Sequence, residues 1–365
     1  MGWAEVVGGL FILLVVFFDL FESVILPRPA VGKFGVVKYF LRAMWIVWRW
    51  VGVRSKRPAR RESRLAAFGP TAVLTMFALW AAAIVVGYAL ILDGHSAGLH
   101  PMPRTFGASL YFSATTLVPL SYGDVLPVDA AARVTTVAES ATGIIVAALV
   151  ITLLFSLYQA FQDREKLVVT LDAMAGAPPS GAQILETAAE RGMRRELERT
   201  FDDWRRWAAA VLESHLAYPI LFFFRSSHDN EAWLNSFGAV MDAASLVVST
   251  VDDDAEGPAR LMLTVGNHLV DDMTWYFSFQ RSTEPYVERE EFDQALARLK
   301  SAGYLCRNHE PAWNEFVRLR SRYAYPLNLM ARRLAIIPAQ WIGDRSYLPH
   351  QVRTSRRRRV RESSP

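Results

Sequence analysis

The sequence predicts an all-α membrane protein, in which three membrane-spanning helices are followed by an all-helical aqueous domain. Hydrophobic residues make up 52% of the 365 residues and charged residues 21%, so the chain is part membrane and part aqueous. Three windows reach the length of about 20 apolar residues that a bilayer requires: 6–26, 71–92 and 134–158. After residue 161, apolar residues recur at helical spacing with few strand signals.

The first span lies in the N-terminal segment, residues 1–27. No removable signal peptide is expected, because Glu5 replaces the usual basic flank and no small-residue cleavage site follows the apolar run. Asp19 and Glu22 are three residues apart and therefore share one face of this helix. We expect that face to point toward protein or water rather than lipid.

A basic loop, residues 28–66, follows the first span. Eleven basic residues and a single acid lie between residues 27 and 64. Because positively charged loops stay in the cytoplasm, the N-terminus is predicted outside and everything after 161 inside, in a multi-pass protein of the plasma or bacterial inner membrane. Tryptophans among the charges of residues 33–53 favour an interfacial amphipathic helix over a further span.

A second basic block closes the sequence. Residues 346–365 contain six arginines and one glutamate and are predicted to be a disordered tail. Both basic blocks are expected to contact anionic lipid headgroups. Nucleic acid is not expected as a partner, because no recognition motif accompanies the arginines.

Residues 162–345 are predicted to form the helical domain, with breaks rich in glycine, proline and aspartate. The pattern places helices near 183–217, 230–251, 258–279, 288–303 and 309–336. No glycine-rich nucleotide loop follows a strand, and no grouping of nucleophile and base indicates an enzyme. The single cysteine, Cys306, excludes an intrachain disulfide and a cysteine metal cluster.

Histidines and carboxylates in three separate segments of this domain are weak candidates for metal ligands. Such groups form metal sites where they converge between helices. Isolated histidines more often satisfy local hydrogen bonds, and a residue such as Asp229 also suits the start of the next helix, so no metal is expected. The candidates are His215, His228, Asp229 and His268.

The segment between the second and third spans contains a short apolar stretch that ends in a turn. Residues 105–118 have a helical pattern but are too short to span. Non-helical backbone at membrane depth is tolerated where protein buries it or water lines it, and a re-entrant loop meets both conditions. Successive carbonyls of such a loop can replace the hydration shell of an ion. We therefore interpret five residues as ion-binding: Pro119, Leu120, Ser121, Tyr122 and Gly123.

The order of these elements in residues 67–161 resembles the two-helix pore unit of the potassium channel superfamily. On this resemblance 71–92 is the outer helix, 105–127 the pore helix with the selectivity filter, and 134–160 the inner helix. The resemblance implies a tetrameric pore-loop channel with passive flux of monovalent cations. Its permeant ion would be K⁺, with Na⁺ second, and no cofactor is implied. No span carries the repeated arginines of a voltage sensor.

Two residues depart from the usual filter pattern, T-x-G-Y-G-D. Pro119 keeps its carbonyl but lacks the threonine hydroxyl and fixes φ at about −65°. Ser121 replaces a glycine where the filter backbone alternates into positive φ, at a cost of about 1 kcal/mol. A weakly selective monovalent cation channel is therefore an alternative. Another is a non-conducting membrane-anchored sensor or scaffold that keeps the pore fold.

Four residues are predicted to support the filter. Thr116 ends the pore helix, and the Tyr111 hydroxyl is placed to donate to Asp124 at the outer mouth, with simple aromatic packing as the alternative. Glu139 lies within the third span, where an ionised carboxylate is costly unless paired. We expect it to face the back of the pore helix rather than to bind ions, and to form a hydrogen bond with Ser113, Thr115 or Thr116.

The remaining predictions concern gating. Gly143 falls where channels of the superfamily carry a glycine hinge. Helical spacing from Gly143 then places Ala147, Ile151 and Phe155 on the pore, with Tyr158 one turn further. Phe155 and Tyr158, together with Ile151, are predicted to form a hydrophobic gate that closes by dewetting, with packing against lipid or another helix as the alternative.

Overall fold

The computed structural model describes residues 2–26, 36–55, 57–120, 122–176, 178–226, 232–280, 282 and 284–337. Ser121, His228, Asp229 and the predicted tail at 346–365 lie outside the described residues. The chain divides into two compact units. The membrane unit comprises Met1–Gln162 and Glu213–Arg225, and the helical unit comprises Asp163–Leu212 and Ser226–Pro365. Three described helices are long and apolar enough to cross a membrane, which confirms the predicted all-α membrane fold.

The first span is helix α1 (Trp3–Leu20), which continues into a π-helical turn at Phe21–Ile25. It packs closely against the second span at Gly9. A Cβ atom added to Gly9 would overlap the carbonyl oxygen of Gly87, so only glycine fits there without a shift. Asp19 is 5% exposed and accepts a hydrogen bond of 2.8 Å from Trp80 Nε1. Its carboxylate therefore faces protein, as the sequence predicted.

Two helices form the described part of the basic loop. Helix α2 (Val36–Val53) packs Trp45 against Phe68 and Phe223, with ring centroids 4.8 and 5.2 Å apart. Helix α3 (Pro58–Ala66) was not predicted from the sequence, since its three arginines and one glutamate give it little apolar periodicity. Pro58 at its first position suits a helix start, because no intrahelical partner is needed there.

The pore region consists of three helices and a two-stranded ribbon. Helix α4 (Phe68–Gly94) is longer at both ends than the predicted 71–92, and α5 (Phe106–Leu117) lies within the predicted 105–118. Strands β1 (Leu99–His100) and β2 (Leu126–Pro127) pair antiparallel on either side of α5. This ribbon was not predicted.

Helix α6 (Ala130–Ala175) has 46 residues, and the predicted end of the inner helix at 160 was wrong. The apolar run stops near Tyr158, but residues with good helix propensity follow it, so the helix outlasts its hydrophobic segment. The predicted domain boundary at 161–162 therefore falls inside a continuous helix.

The helical unit contains α7 (Gly181–Glu190), most of α8 (Glu196–Ala217), α9 (Trp233–Ser249), α10 (Glu256–Phe277), α11 (Arg289–Ser301), α12 (His309–Arg320) and α13 (Ala324–Arg333). The predicted helix 183–217 is interrupted where Gly192 adopts φ +66°, and the predicted 309–336 breaks at 321–323. Residues 213–225, which the sequence assigned to the helical domain, belong to the membrane unit. There Phe223 packs on Phe68 with ring centroids 5.3 Å apart.

Helix α9 is the centre of the helical unit, and every residue from Ala239 to Ser249 is buried. It carries a buried polar network as well as apolar residues. Asp242 accepts hydrogen bonds from the Tyr323 hydroxyl at 2.7 Å and from Arg320 Nε at 2.9 Å. Satisfied buried networks of this kind specify one packing arrangement, because an unpaired member would be costly.

Candidate functional site

Hydrogen bonds to α4 fix the position of the short helix α5. The Thr105 side chain caps its first turn by accepting from the Ala108 amide. Ser109 donates to the Asp93 carboxylate at 2.6 Å, and the Ser113 hydroxyl lies 2.9 Å from the Val85 carbonyl oxygen. These two serines are one turn apart, so one polar edge of α5 lies along α4.

The chain leaves α5 as irregular, exposed backbone. Just after the helix, the Leu120 amide donates to the Thr115 carbonyl at 2.9 Å. Pro119, Leu120 and Tyr122 are exposed within a single chain. Gly123 has φ +78°, in the left-handed region that favours glycine, and no atom lies within 4 Å of a Cβ built there. Gly123 therefore gives this segment one position with the backbone freedom that an ion filter requires.

The side chains of Tyr111 and Asp124 lie close enough to interact with each other beside this segment. Tyr111 is 44% exposed within one chain, whereas Thr116 near the end of α5 is buried, with 9% of its surface exposed. The Thr115 hydroxyl donates back to the Phe112 carbonyl at 2.9 Å. The structure thus brings Tyr111 and Asp124 together, and their support of the filter stays a prediction.

Glu139 lies on the face of α6 that meets α5, and it is fully buried within a single chain. Among the three candidate partners, its Oε1 atom contacts the Ser113 hydroxyl. The Oε2 atom is buried without a hydrogen-bond partner among the described residues. The Glu139 side chain therefore contacts α5 itself, at Ser113.

Gly143 lies one turn further along α6 and faces α5 as well. A Cβ atom at this position would overlap the carbonyl oxygen of Leu117, the last residue of α5. Helix α6 is continuous through Gly143. The structure thus gives this glycine a packing role that the sequence did not suggest, and hinge motion remains a prediction.

Ile151 and Phe155 lie on a different face of α6 from Gly143. Because each helical residue turns by about 100°, steps of four residues drift by about 40° each. Ile151 and Phe155 are 55% and 73% exposed within a single chain, whereas Leu153 and Leu157 are buried. These two predicted gate residues are therefore turned away from the buried stripe of α6.

A contact between His95 and Asp129, which sequence reasoning missed, joins the end of α4 to the start of α6. His95 Nε2 lies 2.6 Å from Asp129 Oδ2, and Asp129 Oδ1 accepts a 2.8 Å hydrogen bond from the Ala132 amide. The Ala132 amide first, and His95 second, hold the pKa of Asp129 below its usual range. An aspartate just before the start of α6 was the signal for the cap, but nothing in the sequence indicated His95.

The metal candidates do not form a site in the described part of the chain. His215 is buried, with its Nδ1 atom 3.2 Å from the Ser214 hydroxyl and its ring against Phe222. His268 is exposed on α10. No group of three or more histidine, cysteine, aspartate or glutamate side chains among the described residues could hold a metal ion.

Comparisons with known proteins support the channel class. Residues 74–160 match a protein family described as "Ion channel", and this segment contains most of α4, all of α5, the filter segment and the membrane part of α6. The resemblance inferred from the sequence is thus supported at the level of the pore-loop channel superfamily. The matched segment is less than half of the chain.

A curated relative is similar over a longer stretch. It is the "Uncharacterized membrane protein YdjJ" of Bacillus subtilis (strain 168), which is 20% identical over 226 residues. The match covers 58% of this chain and 65% of that protein, slightly less than two thirds of its length. No solved structure matches the chain.

Proposed function

We propose that the chain forms a homotetrameric channel for passive flux of monovalent cations across the cell membrane, with K⁺ as the permeant ion. One observation carries this proposal. A helix too short to span, α5, is packed between two spanning helices and leads into exposed, irregular backbone with Gly123 at φ +78°. Irregular backbone at membrane depth has to line a water-filled pathway or be buried in protein, and this segment is exposed in the single chain.

The geometry of a filter supports a ring of identical subunits, and the number four comes from the resemblance to two-helix pore channels. One chain supplies one segment of carbonyls, whereas an ion needs carbonyl oxygens on all sides. Closed rotational symmetry repeats the same segment around an axis. Helix α6 has an exposed apolar face that could line the central pathway or contact neighbouring subunits. It includes Ile144, Ile151 and Phe155.

A weakly selective monovalent cation channel is the second candidate, and Pro119 and Ser121 favour it. The proline removes the hydroxyl that would complete the innermost ion site, and the serine disfavours the positive φ of the usual filter. Both changes weaken the distinction between K⁺ and Na⁺ and leave the pore fold intact.

Anionic lipids of the inner leaflet are the proposed partners of the basic loop. In α2, Arg42 and Arg49 are exposed beside the exposed apolar residues Ile46 and Trp50, as expected of a helix at the membrane interface. Arg54 stacks on the Trp50 ring with its guanidinium carbon 3.4 Å from the ring centroid. On this proposal, the helical domain and the C-terminus lie in the cytoplasm.

The test is ion flux from liposomes that contain the purified protein, after native mass spectrometry has established its oligomeric state. A tetramer that passes K⁺ faster than Na⁺ supports the first candidate, and equal rates support the second. The control is Gly123→Ala, where a methyl group has room but the positive φ becomes strained, so assembly persists and flux falls. Absence of flux from an assembled wild-type tetramer would overturn the channel function.

A further inference from the structure

We infer that Glu139 is held as a neutral carboxylic acid that donates its proton to Ser113. A single chain of hydrogen bonds then joins the three helices of the pore region: from Glu139 on α6 to Ser113 on α5, and from Ser113 to the Val85 carbonyl on α4. Glu139 and Ser113 thus form a proton-binding site.

A count of donors supports this direction. The Ser113 oxygen contacts two oxygen atoms, the Val85 carbonyl at 2.9 Å and Glu139 Oε1. A serine hydroxyl has one proton and a backbone carbonyl has none, so each contact is a separate two-centre hydrogen bond only if Glu139 supplies a proton. With an ionised Glu139, Ser113 would have to share its one proton between the two oxygens in a weaker three-centre bond.

The surroundings of Glu139 also favour the neutral form. The side chain is fully buried, and Oε2 has no hydrogen-bond donor among the described residues. From α4, the titratable group that interacts with Glu139 is the Tyr88 hydroxyl, which also lies 2.9 Å from Thr142 Oγ1. From α5 the facing polar group is Ser113. A buried carboxylate without a cation loses its hydration with no compensation, whereas a neutral acid tolerates an unbonded carbonyl oxygen.

This site is positioned to couple the inner helix to the filter. Glu139 and Gly143 are one turn apart on α6, and they meet Ser113 and Leu117, which are one turn apart on α5. Leu117 lies two residues before Pro119. On the proposed channel function, loss of the Glu139 proton would break the hydrogen-bond chain behind the filter and lower flux at alkaline pH.

Infrared spectroscopy of the full-length protein in lipid vesicles tests the protonation state without any requirement for flux. At pH 7, we expect a carboxylic-acid C=O band that Glu139→Gln abolishes and the matched variant Glu5→Gln retains, since Glu5 is exposed near the start of α1. Glutamine preserves the shape of the side chain and can still donate to Ser113. A wild-type band that is unchanged in Glu139→Gln, or no band at all, would overturn the inference.

A second variant leaves Glu139 in place. Ser113→Ala removes the acceptor of the acid proton, so the band should move toward the position of a non-bonded acid; an unmoved band would rule out Ser113 as the partner. In flux measurements, Glu139→Gln should conduct at neutral pH and lose the alkaline inhibition of the wild type, and an inhibition that persists would refute the coupling. Wild-type vesicles without flux would instead reject the channel function, and the infrared result would still decide the protonation state.

Discussion

The α-carbon of Gly143 on α6 lies so close to the carbonyl oxygen of Leu117 that no side chain fits between them. Leu117 ends the short helix α5, and the irregular filter segment begins directly after it. The backbone of α6 therefore packs directly against the C-terminal end of α5. Small residues allow membrane helices to approach in this way.

Replacement of Gly143 by alanine should displace the end of α5. Overpacking of this kind costs about 1 to 3 kcal/mol, and here the atom in the way is backbone, which yields less readily than a side chain. We expect a lower midpoint of thermal unfolding and a loss of flux in vesicles. The control is Gly8→Ala in α1, where no atom lies within 4 Å of a Cβ. Equal behaviour of the two variants would contradict the packing role of Gly143.

The spans could be predicted because hydropathy depends on local composition, whereas the contacts of the site could not. Gly143 was predicted as a hinge because channels of the superfamily that the sequence resembles carry a glycine there, but its contact with Leu117 joins residues that are far apart in sequence. The His95 and Asp129 pair, 34 residues apart, is of the same kind. The sequence left Ser113, Thr115 and Thr116 as candidate partners of Glu139, because all three carry a hydroxyl. Which of them faces Glu139 depends on how α5 is rotated about its axis, and the structure shows that it is Ser113.

The end of α6 shows a second limit. The sequence placed the end of the inner helix at 160, where the apolar residues stop, because a membrane span is recognised by its composition. Helix formation depends on backbone hydrogen bonds and propensity, which continue to Ala175. For the same reason the charged helix α3 was missed, since it lacks the apolar periodicity by which amphipathic helices are recognised.

The exposed face of α6 leads to a prediction about closure of the pore. Phe155 is 73% exposed and turned away from the buried stripe of its own chain. If it narrows the pore by excluding water, Phe155→Ala should raise the open probability in single-channel recordings. The matched control is Phe18→Ala on α1, an exposed phenylalanine of another span, which should leave gating unchanged. An open probability that is the same in wild type and Phe155→Ala would eliminate Phe155 as a gate.

The stability of the helical unit should depend on pH through Glu256. Hydrogen bonds from Arg260 first, and then from Arg307, hold the pKa of this carboxyl below its usual value. A depressed folded-state pKa contributes stability above the unfolded pKa, and this contribution is lost as the pH falls through the folded value. Glu256→Gln should therefore be less stable than wild type at pH 7, and the difference should shrink in acid.

Denaturant unfolding of the full-length protein, followed by circular dichroism at pH 7 and at about pH 3, measures this difference. The Glu256 ion pairs are partly exposed to solvent, so a small effect is expected. Glu198→Gln, an exposed glutamate of α8, provides the reference for removal of one negative charge. A difference between wild type and Glu256→Gln that stays constant with pH would contradict the contribution of Glu256.

Selectivity should respond to the two unusual filter residues. The double variant Pro119→Thr, Ser121→Gly restores a hydroxyl at the inner end of the filter and the freedom to adopt positive φ at its centre. Relief of about 1 kcal/mol corresponds to about a fivefold change in population, so we expect the ratio of K⁺ to Na⁺ flux to rise by a factor of that order. The control is Pro103→Thr, Ser96→Gly, which makes the same chemical changes between α4 and α5. If both double variants keep the wild-type flux ratio, Pro119 and Ser121 do not limit selectivity, because the carbonyls alone would then set the preference for the ion.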